Sequence, residues 1–418
     1  MDDHFYSDSR KKSWEAVLFQ TAFEISISPS LYETINARYA SLEDILNGAD
    51  DPILKSVHIF PQGSIRLKTA IKPLQGTTGD LGTVDADAVV WLENASTTTA
   101  DSVLQAIQQR FQDGKRVTAD IEELRRGIRI KYADENPSFH IDVTPARNLR
   151  GNTAECGKGA LEVPDRKQGW KASSPIEYSD WLNNISEKKL PVMAMDSFRE
   201  ITEVLSKASV ENMPEYSEYV DPNILRALIK LIKRNRDVWA KKNPTRKDFR
   251  PISAVLTTLA GLAYEKLANN PTHIVIHSPF EVMQAIIKTM PDFIKGSAGR
   301  WEVLNPVNSN ENFAEKWNRE GGDSYRAAFD DWYLDAVVAF KLGLEEFPSN
   351  ASFQDALNEA FSIDPSTVDK TLRNLPQDWN LPGRELGKTG ATVALATMSG
   401  LSVASSKPQS VQHSRRLG

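Results

Sequence analysis

Two acids inside an otherwise apolar run are the residues of this chain best placed to do chemistry. In Val84-Asp85-Ala86-Asp87-Ala88-Val89-Val90 the side chains alternate as they do along a strand. Val84, Ala86, Ala88 and Val90 share one face, and Asp85 and Asp87 share the other. The two carboxylates then stand about 7 Å apart along the backbone. Their repulsion disfavours such a strand unless positive charge offsets it, and bound divalent cations would do so. A second alternating run, Ser138-Phe139-His140-Ile141-Asp142-Val143, sets Phe139, Ile141 and Val143 on one side and Asp142 on the other. If the two strands are neighbours, Asp142 completes a cluster of three carboxylates. Such a cluster suits a pair of Mg²⁺ ions about 3.5–4 Å apart, the arrangement used for in-line displacement at phosphorus.

Upstream, Phe60-Pro61-Gln62-Gly63-Ser64 follows a short strand from Val57 to Phe60. Glycine lets backbone approach a phosphate closely, and serine adds a hydroxyl donor. Taken singly, a Gly-Ser turn is ordinary loop chemistry and most Asp-x-Asp pairs are surface residues. Specificity comes from the order: Gly-Ser, then Asp-x-Asp on a strand, then a later third Asp.

That order resembles the signature of the polymerase-β-like nucleotidyltransferases. Within them, Gln62-Gly63-Ser64-Ile65-Arg66-Leu67-Lys68-Thr69-Ala70-Ile71-Lys72-Pro73 is similar to the bacterial cGAS/DncV-like branch, the CD-NTases, which make cyclic oligonucleotide second messengers in the anti-phage system CBASS. Two further stretches carry the likeness. Leu231-Ile232-Lys233-Arg234-Asn235-Arg236-Asp237 with Pro251-Ile252-Ser253 resembles the paired motifs of the family's helical domain. Asn305-Pro306-Val307-Asn308 followed by Glu311 to Trp317 is similar too, so the resemblance spans about residues 55–320. One departure is a Gly/Thr-rich insert, Gln75 to Thr83, between Ser64 and Asp85. Asp80 within it could pass for a metal ligand, but Leu81-Gly82 breaks the strand pattern there.

The resemblance implies a two-lobed enzyme with nucleotide held between the lobes. Gln62, Gly63 and Ser64 would hold the donor phosphates, and Asp85, Asp87 and Asp142 would bind two Mg²⁺ (or Mn²⁺) ions. A Lys/Arg run on a helix is ordinarily a solvated face, and a serine after proline is ordinarily a cap. The family likeness nevertheless assigns Lys233 and Ser253 to the donor triphosphate, which carries about four negative charges that a lysine and a helix start can meet.

The elements that must position these residues are readable in the hydrophobic periodicity. Trp14, Val17, Leu18, Ala22 and Ile25, then Leu31, Ile35, Tyr39, Leu42 and Ile45 after a break at Ser28-Pro29-Ser30, predict two helices, and the resemblance implies that they brace the catalytic lobe. Asp101-Ser102 is expected to cap a helix to about Gln112, and Thr118 to Arg125 to form a short element. Gly127 to Tyr132 alternates and is predicted to pair with Phe139–Val143 as a hairpin, putting Asp142 on a central strand. Residues 149–175 read as loop, and from Ser174-Pro175 onward the chain reads as almost wholly helical. On Leu225 to Trp239, Leu228, Ile229, Leu231 and Ile232 are expected inside and Lys230, Lys233, Arg234 and Arg236 outside.

The fold class that follows is α+β. A polymerase-β-like lobe with a mixed sheet covers 1–165, an all-helical OAS-like lobe covers 166–383, and 384–418 is a flexible Ala/Ser/Thr/Gly-rich tail. The tail ends Arg415-Arg416-Leu417-Gly418 and resembles ubiquitin-like tails. Some CBASS operons pair the synthase with an E1–E2-like ligase, which would conjugate Gly418 to a target.

Composition narrows the alternatives. A chain of 418 residues, 40% apolar and 25% charged, is a soluble globular protein, and a net charge of −6 argues against constitutive binding of duplex nucleic acid. The single cysteine, Cys156, excludes an intrachain disulfide and a multi-cysteine zinc site, and is expected to be a structural thiol. Neither a leader nor a membrane span is expected, so the predicted compartment is the cytoplasm. The expected partners are NTPs, an effector reached through the diffusible product, and the tail ligase. Two other readings keep the fold: a linear-product or RNA/protein-modifying nucleotidyltransferase of OAS-like or toxin type, and a non-catalytic, tail-conjugated adaptor. The complete Asp85/Asp87/Asp142 set argues against the adaptor.

Overall fold

A computed structural model describes residues 8–113, 120–133, 135, 137–149, 157–188, 190, 223–269 and 278–383. Cys156 and the tail with Gly418 lie outside these residues. The chain opens with helices α1 (Asp8–Glu24) and α2 (Pro29–Asn47). Ser28 starts the second: its hydroxyl accepts from Leu31 N at 3.2 Å, and Pro29 sits where a helix needs no N–H.

The sheet follows, from β1 (Val57–Gln62), the single-turn helix α3 (Gly63–Arg66), β2 (Val84–Leu92), α4 (Ala100–Asp113), β3 (Asp120–Glu123), β4 (Ile128–Tyr132), β5 (Phe139–Asn148), β6 (Leu161–Asp165) and β7 (Gly169–Ser173). Its order is β1-β2-β5-β4-β3, with β6 joined to β5 and β7 to β6. β2 and β5 run parallel, while β1–β2, β4–β5 and β3–β4 are antiparallel, so the sheet is mixed as expected. The β4–β5 hairpin forms as the alternation required and puts Asp142 on an interior strand. α4 is capped two residues earlier than expected. Thr99, not Asp101-Ser102, caps it, its hydroxyl accepting from Ser102 N at 3.2 Å.

Residues 149–175 are not simply loop, because they contain the β6–β7 hairpin. Pro164 and Gly169 mask it in the sequence, yet Leu161 and Val163 alternate and pack with Phe60, Val89, Trp91, Ala146 and Ile176 in a small core of their own. This explains how β2 changes character along its length. Asp85 and Asp87 face open space, while Val89 and Trp91 on the same face are covered by β6–β7.

Beyond α5 (Pro175–Ser186) the described residues are mostly helical: α6 (Ile224–Lys242), α7 (Ser253–Asn269), α8 (Pro279–Thr289), α9 (Asp323–Ala339), α10 (Asn350–Phe361) and α11 (Pro365–Asn374). A hairpin of β8 (Leu304–Asn305) and β9 (Asn308–Asn312) interrupts them, so Asn305-Pro306-Val307-Asn308 is its turn. Asn305 accepts from Val307 N at 3.0 Å, an Asx turn. This hairpin ties the two halves. Ser173 donates to Glu311, Asn308 donates to Ser174, and Arg126 and Lys171 both reach Glu315.

Two expectations fail for one physical reason. α6 is the axial helix of the second half, contacted by α1, α7, α8, α9 and α10. Lys230, Lys233, Arg234 and Arg236 are therefore buried rather than exposed. Their stems pack inside and each head finds an acceptor: Ser26 Oγ, Thr69 O, Lys72 O and Pro251 O respectively. The same core takes in α1. Trp14, Val17 and Leu18 pack with the helical half rather than with the sheet, and only α2 braces the sheet core through Ile35, Tyr39 and Leu42. Among the described residues no helix is long and apolar enough to cross a membrane.

Candidate active site

Parallel pairing of β2 with β5 places Asp85 opposite His140 and Asp87 opposite Asp142. Asp85 and Asp142 come together with His140, while Asp87 adjoins them in the strand register. His140 Nε2 lies 2.8 Å from Asp85 Oδ1 and 3.9 Å from Asp142 Oδ1. Its Nδ1 is 3.1 Å from Thr83 Oγ1. One ligand atom from each of Asp85, His140 and Asp142 lies within 4.8 Å of the others, so the set could hold a metal ion. Carboxylate oxygens with one imidazole nitrogen, whose second nitrogen is steadied by a hydroxyl, fit a divalent cation.

Asp87 is not one of these three residues. Its carboxylate lies against Gly63, where a Cβ would come 2.2 Å from Oδ2. Gly63 has φ +57°, so the start of α3 needs glycine on both counts. Tyr39 donates to the Asp87 carbonyl at 3.1 Å, holding this part of β2 from below.

A cleft of about 460 Å³ opens above the acids. Gly63, Ser64, Asp85, Asp87, Lys233 and Ser253 all line it, so most of the expected site residues meet across one space. Gln62 does not line it; it pairs with Asp87 in the β1–β2 register. Asp142 and His140 lie just behind Asp85. Ser64 Oγ is 3.5 Å from the Asp85 carbonyl. Lys233 Nζ donates to Thr69 O at 2.9 Å, and Ser253 Oγ accepts from Arg236 at 3.1 Å.

The electrostatics follow from crowding like charges. The Asp85 side chain is 59% exposed because it borders an open cleft, yet protein surrounds it. Burial would raise its pKa, but His140, through its hydrogen bond and charge, and then Arg129 and Lys233 outweigh that and hold it below the usual carboxylate range. Asp87 goes the opposite way: burial, then the charges of Asp85 and Asp142, push it well up. Asp142 is also raised, chiefly by burial, against the pull of Arg129. Burial, with Arg236 nearby, lowers Lys233 to about 8.

Sequence reasoning missed His140 and Arg129. Arg129 grips Asp142 with both arms of its guanidinium, Nε to Oδ1 at 2.7 Å and Nη2 to Oδ2 at 2.9 Å. The signal was present: His140 is two residues before Asp142 on an alternating strand, and Arg129 lies on the polar face of the strand paired with it.

Comparison with known proteins shows what this arrangement is similar to. Residues 17–185 match the Second Messenger Oligonucleotide or Dinucleotide Synthetase domain, a span that includes every acid of the cluster. The chain resembles the second-messenger nucleotide synthetases over this span. It is similar to a c-di-GMP synthase of Roseivirga ehrenbergii, 25% identical over 318 residues that cover 74% of this chain and 75% of that one. In fold, the chain is similar to the Bradyrhizobium diazoefficiens CD-NTase CdnG in complex with GTP, with a TM-score of 0.61 and 19% identity. That likeness covers 86% of this chain and 98% of the other.

Proposed function

We propose that the cleft joins NTPs into a cyclic oligonucleotide, a di- or trinucleotide, with release of pyrophosphate. The observation that carries this reading is the meeting of Asp85 and Asp87 with Lys233 and Ser253 across one cleft, with Asp142 on the strand paired beside them. In this reading Gly63 and Ser64 present the donor phosphates to the acids, with Gln62 setting the backbone before the turn. Lys233 reaches the triphosphate from the helical half, and Ser253, at the start of α7, adds a hydroxyl beside a helix N-terminus. Asp85, Asp87, Asp142 and His140 would hold divalent cations, two Mg²⁺ or Mn²⁺ ions, which when bound activate the acceptor hydroxyl and neutralise the departing pyrophosphate. The remaining catalysis is positioning and charge neutralisation by residues already in place.

The test is incubation with all four labelled NTPs and Mg²⁺ or Mn²⁺, then phosphatase and mass spectrometry. A phosphatase-resistant di- or trinucleotide supports the reading and names the bases. Phosphatase-sensitive oligomers would move the protein to linear products.

In a cell, the reading extends to anti-phage CBASS signalling in the cytoplasm, with an effector reached by diffusion of the product. An E1–E2-like ligase acting on Gly418 would belong to the same system. Co-expression of the chain with such a ligase, followed by a search for a Gly418-linked adduct that Gly418→Glu abolishes, tests that part.

A further inference from the structure

Arg129 and the Gln75–Thr83 insert are not used by the reaction as outlined, yet they meet at the acids. Arg129 spends Nε and Nη2 on Asp142 and its remaining arm, Nη1, on Asp80 of the insert at 2.9 Å. The Arg129 and Asp142 side chains are each only 17% exposed, so their pair is not a screened surface contact. Strand register fixes it, because Arg129 and Asp142 are direct partners between β4 and β5. Asp80 sits on a turn closed at its neck by Leu74 N donating to Leu81 O at 2.8 Å, and it also faces Arg250 at 3.9 Å.

We infer that Arg129 is a built-in counter-cation that competes with divalent metal for Asp142 and, when displaced, stays tethered by Asp80. The inference rests on the reading of Asp85, Asp87 and Asp142 as a cation site. Its logic is geometric. Asp142 Oδ1, the oxygen nearer His140, already accepts from Arg129 Nε, and Oδ2 accepts from Nη2. A cation arriving at Asp142 meets a guanidinium on the same carboxylate and must share or replace it. Asp80 gives the guanidinium a second acid to hold, so that Arg129 need not be left unpaired beside the cleft. The Gly/Thr-rich insert thereby acquires a role in setting how tightly the nucleotide-free enzyme binds metal.

The test is Mn²⁺ binding to the nucleotide-free full chain, followed by the electron paramagnetic resonance signal of free Mn²⁺, with circular dichroism as a check on folding. Arg129→Met should bind Mn²⁺ about tenfold tighter than the wild type, the size expected for freeing a charge-assisted pair. Arg129→Lys keeps the charge but not the fork and should bind about threefold tighter, which decides the matter if Arg129→Met does not fold. Asp80→Asn should weaken binding about threefold, but have no effect when combined with Arg129→Met. Unchanged or weaker binding in Arg129→Met overturns the inference. So does an Arg129→Lys protein indistinguishable from wild type, because long-range charge alone would then be at work. Absence of Mn²⁺ binding in wild type and variants alike would overturn the cation-site reading itself, and the inference with it.

Discussion

Asp87 and Asp142 are direct partners in the parallel register of two interior strands, so backbone pairing forces two carboxylates side by side before any ligand arrives. The protein carries this repulsion within its core sheet and offsets it with Arg129, His140 and Lys233.

A first consequence concerns the acids themselves. Asp85→Asn/Asp87→Asn should abolish product formation while leaving the metal-free protein folded, because relief of like-charge repulsion at Asp87 offsets the loss of the Asp85–His140 pair. Product mass spectrometry and a thermal melt check both halves. A double variant that still made product would remove these residues from the mechanism.

Gly63 should tolerate no side chain. Gly63→Ala would impose a left-handed conformation costing about 1–2 kcal/mol and drive a methyl into Asp87 Oδ2. We expect a loss of turnover well beyond the modest fall in melting temperature, measured by initial rates and calorimetry.

Lys233 predicts a pH effect on nucleotide binding. Its folded pKa is lowered to about 8 from 10.5, so the charged form is present at neutral pH and is lost as pH rises through about 8. Affinity for a non-hydrolysable NTP should therefore fall across that window in wild type and stay flat in Lys233→Met. The stability sign is opposite: the unfolded chain binds the extra proton between pH 8 and 10.5, so this group's contribution to stability rises with pH there. Lys233→Met should accordingly melt higher than wild type at pH 7.

Glu15 links α1 to α8, its Oε1 accepting from Phe280 N at 3.0 Å. Burial, with the charge of Glu281 adding to it, pushes its carboxyl up to about 7 from 4.5. A raised carboxyl binds its proton more tightly when folded, so its contribution to stability falls as pH climbs from about 4.5 through 7. Glu15→Gln keeps the acceptor without the charge. Denaturant titrations should show it more stable than wild type at pH 8 and nearly equal at pH 4.5.

Asp165 behaves in the reverse sense. It is fully buried between Arg125 and Arg126. Burial alone would raise its carboxyl, but the hydrogen bonds from Arg125, Lys167 N and Arg126 outweigh it and hold the pKa at about 2. Its stabilising contribution is complete above the unfolded value near 3.8 and is lost as pH falls through about 2. Asp165→Asn should cost about 3 kcal/mol at pH 7, read from urea midpoints, since it leaves two arginines facing a neutral partner.

Strict alternation made Asp85, Asp87 and Asp142 legible in the sequence, because a strand's two-residue period assigns each side chain to a face whatever surrounds it. The same local rule exposed the β4–β5 hairpin and the Ser28 break. Periodicity also showed which residues of α6 are apolar, but it could not show that the helix is enclosed from Leu225 to Ala240. Burial of Lys230, Lys233, Arg234 and Arg236 depends on helices far along the chain arriving on every side, and on carbonyls of Thr69, Lys72 and Pro251 being there to receive them. The transfer of α1 to the helical core is of the same kind. So are the contacts that complete the site. Asp85 meets His140, and Arg129 spans Asp142 and Asp80, only because a parallel and an antiparallel pairing each fix one register. The sequence by itself determined which side chains can do chemistry and the face each takes. Tertiary structure decided which of them meet, because register and enclosure are set by residues distant in the chain, and from that meeting come the shifted pKa values and the shared guanidinium.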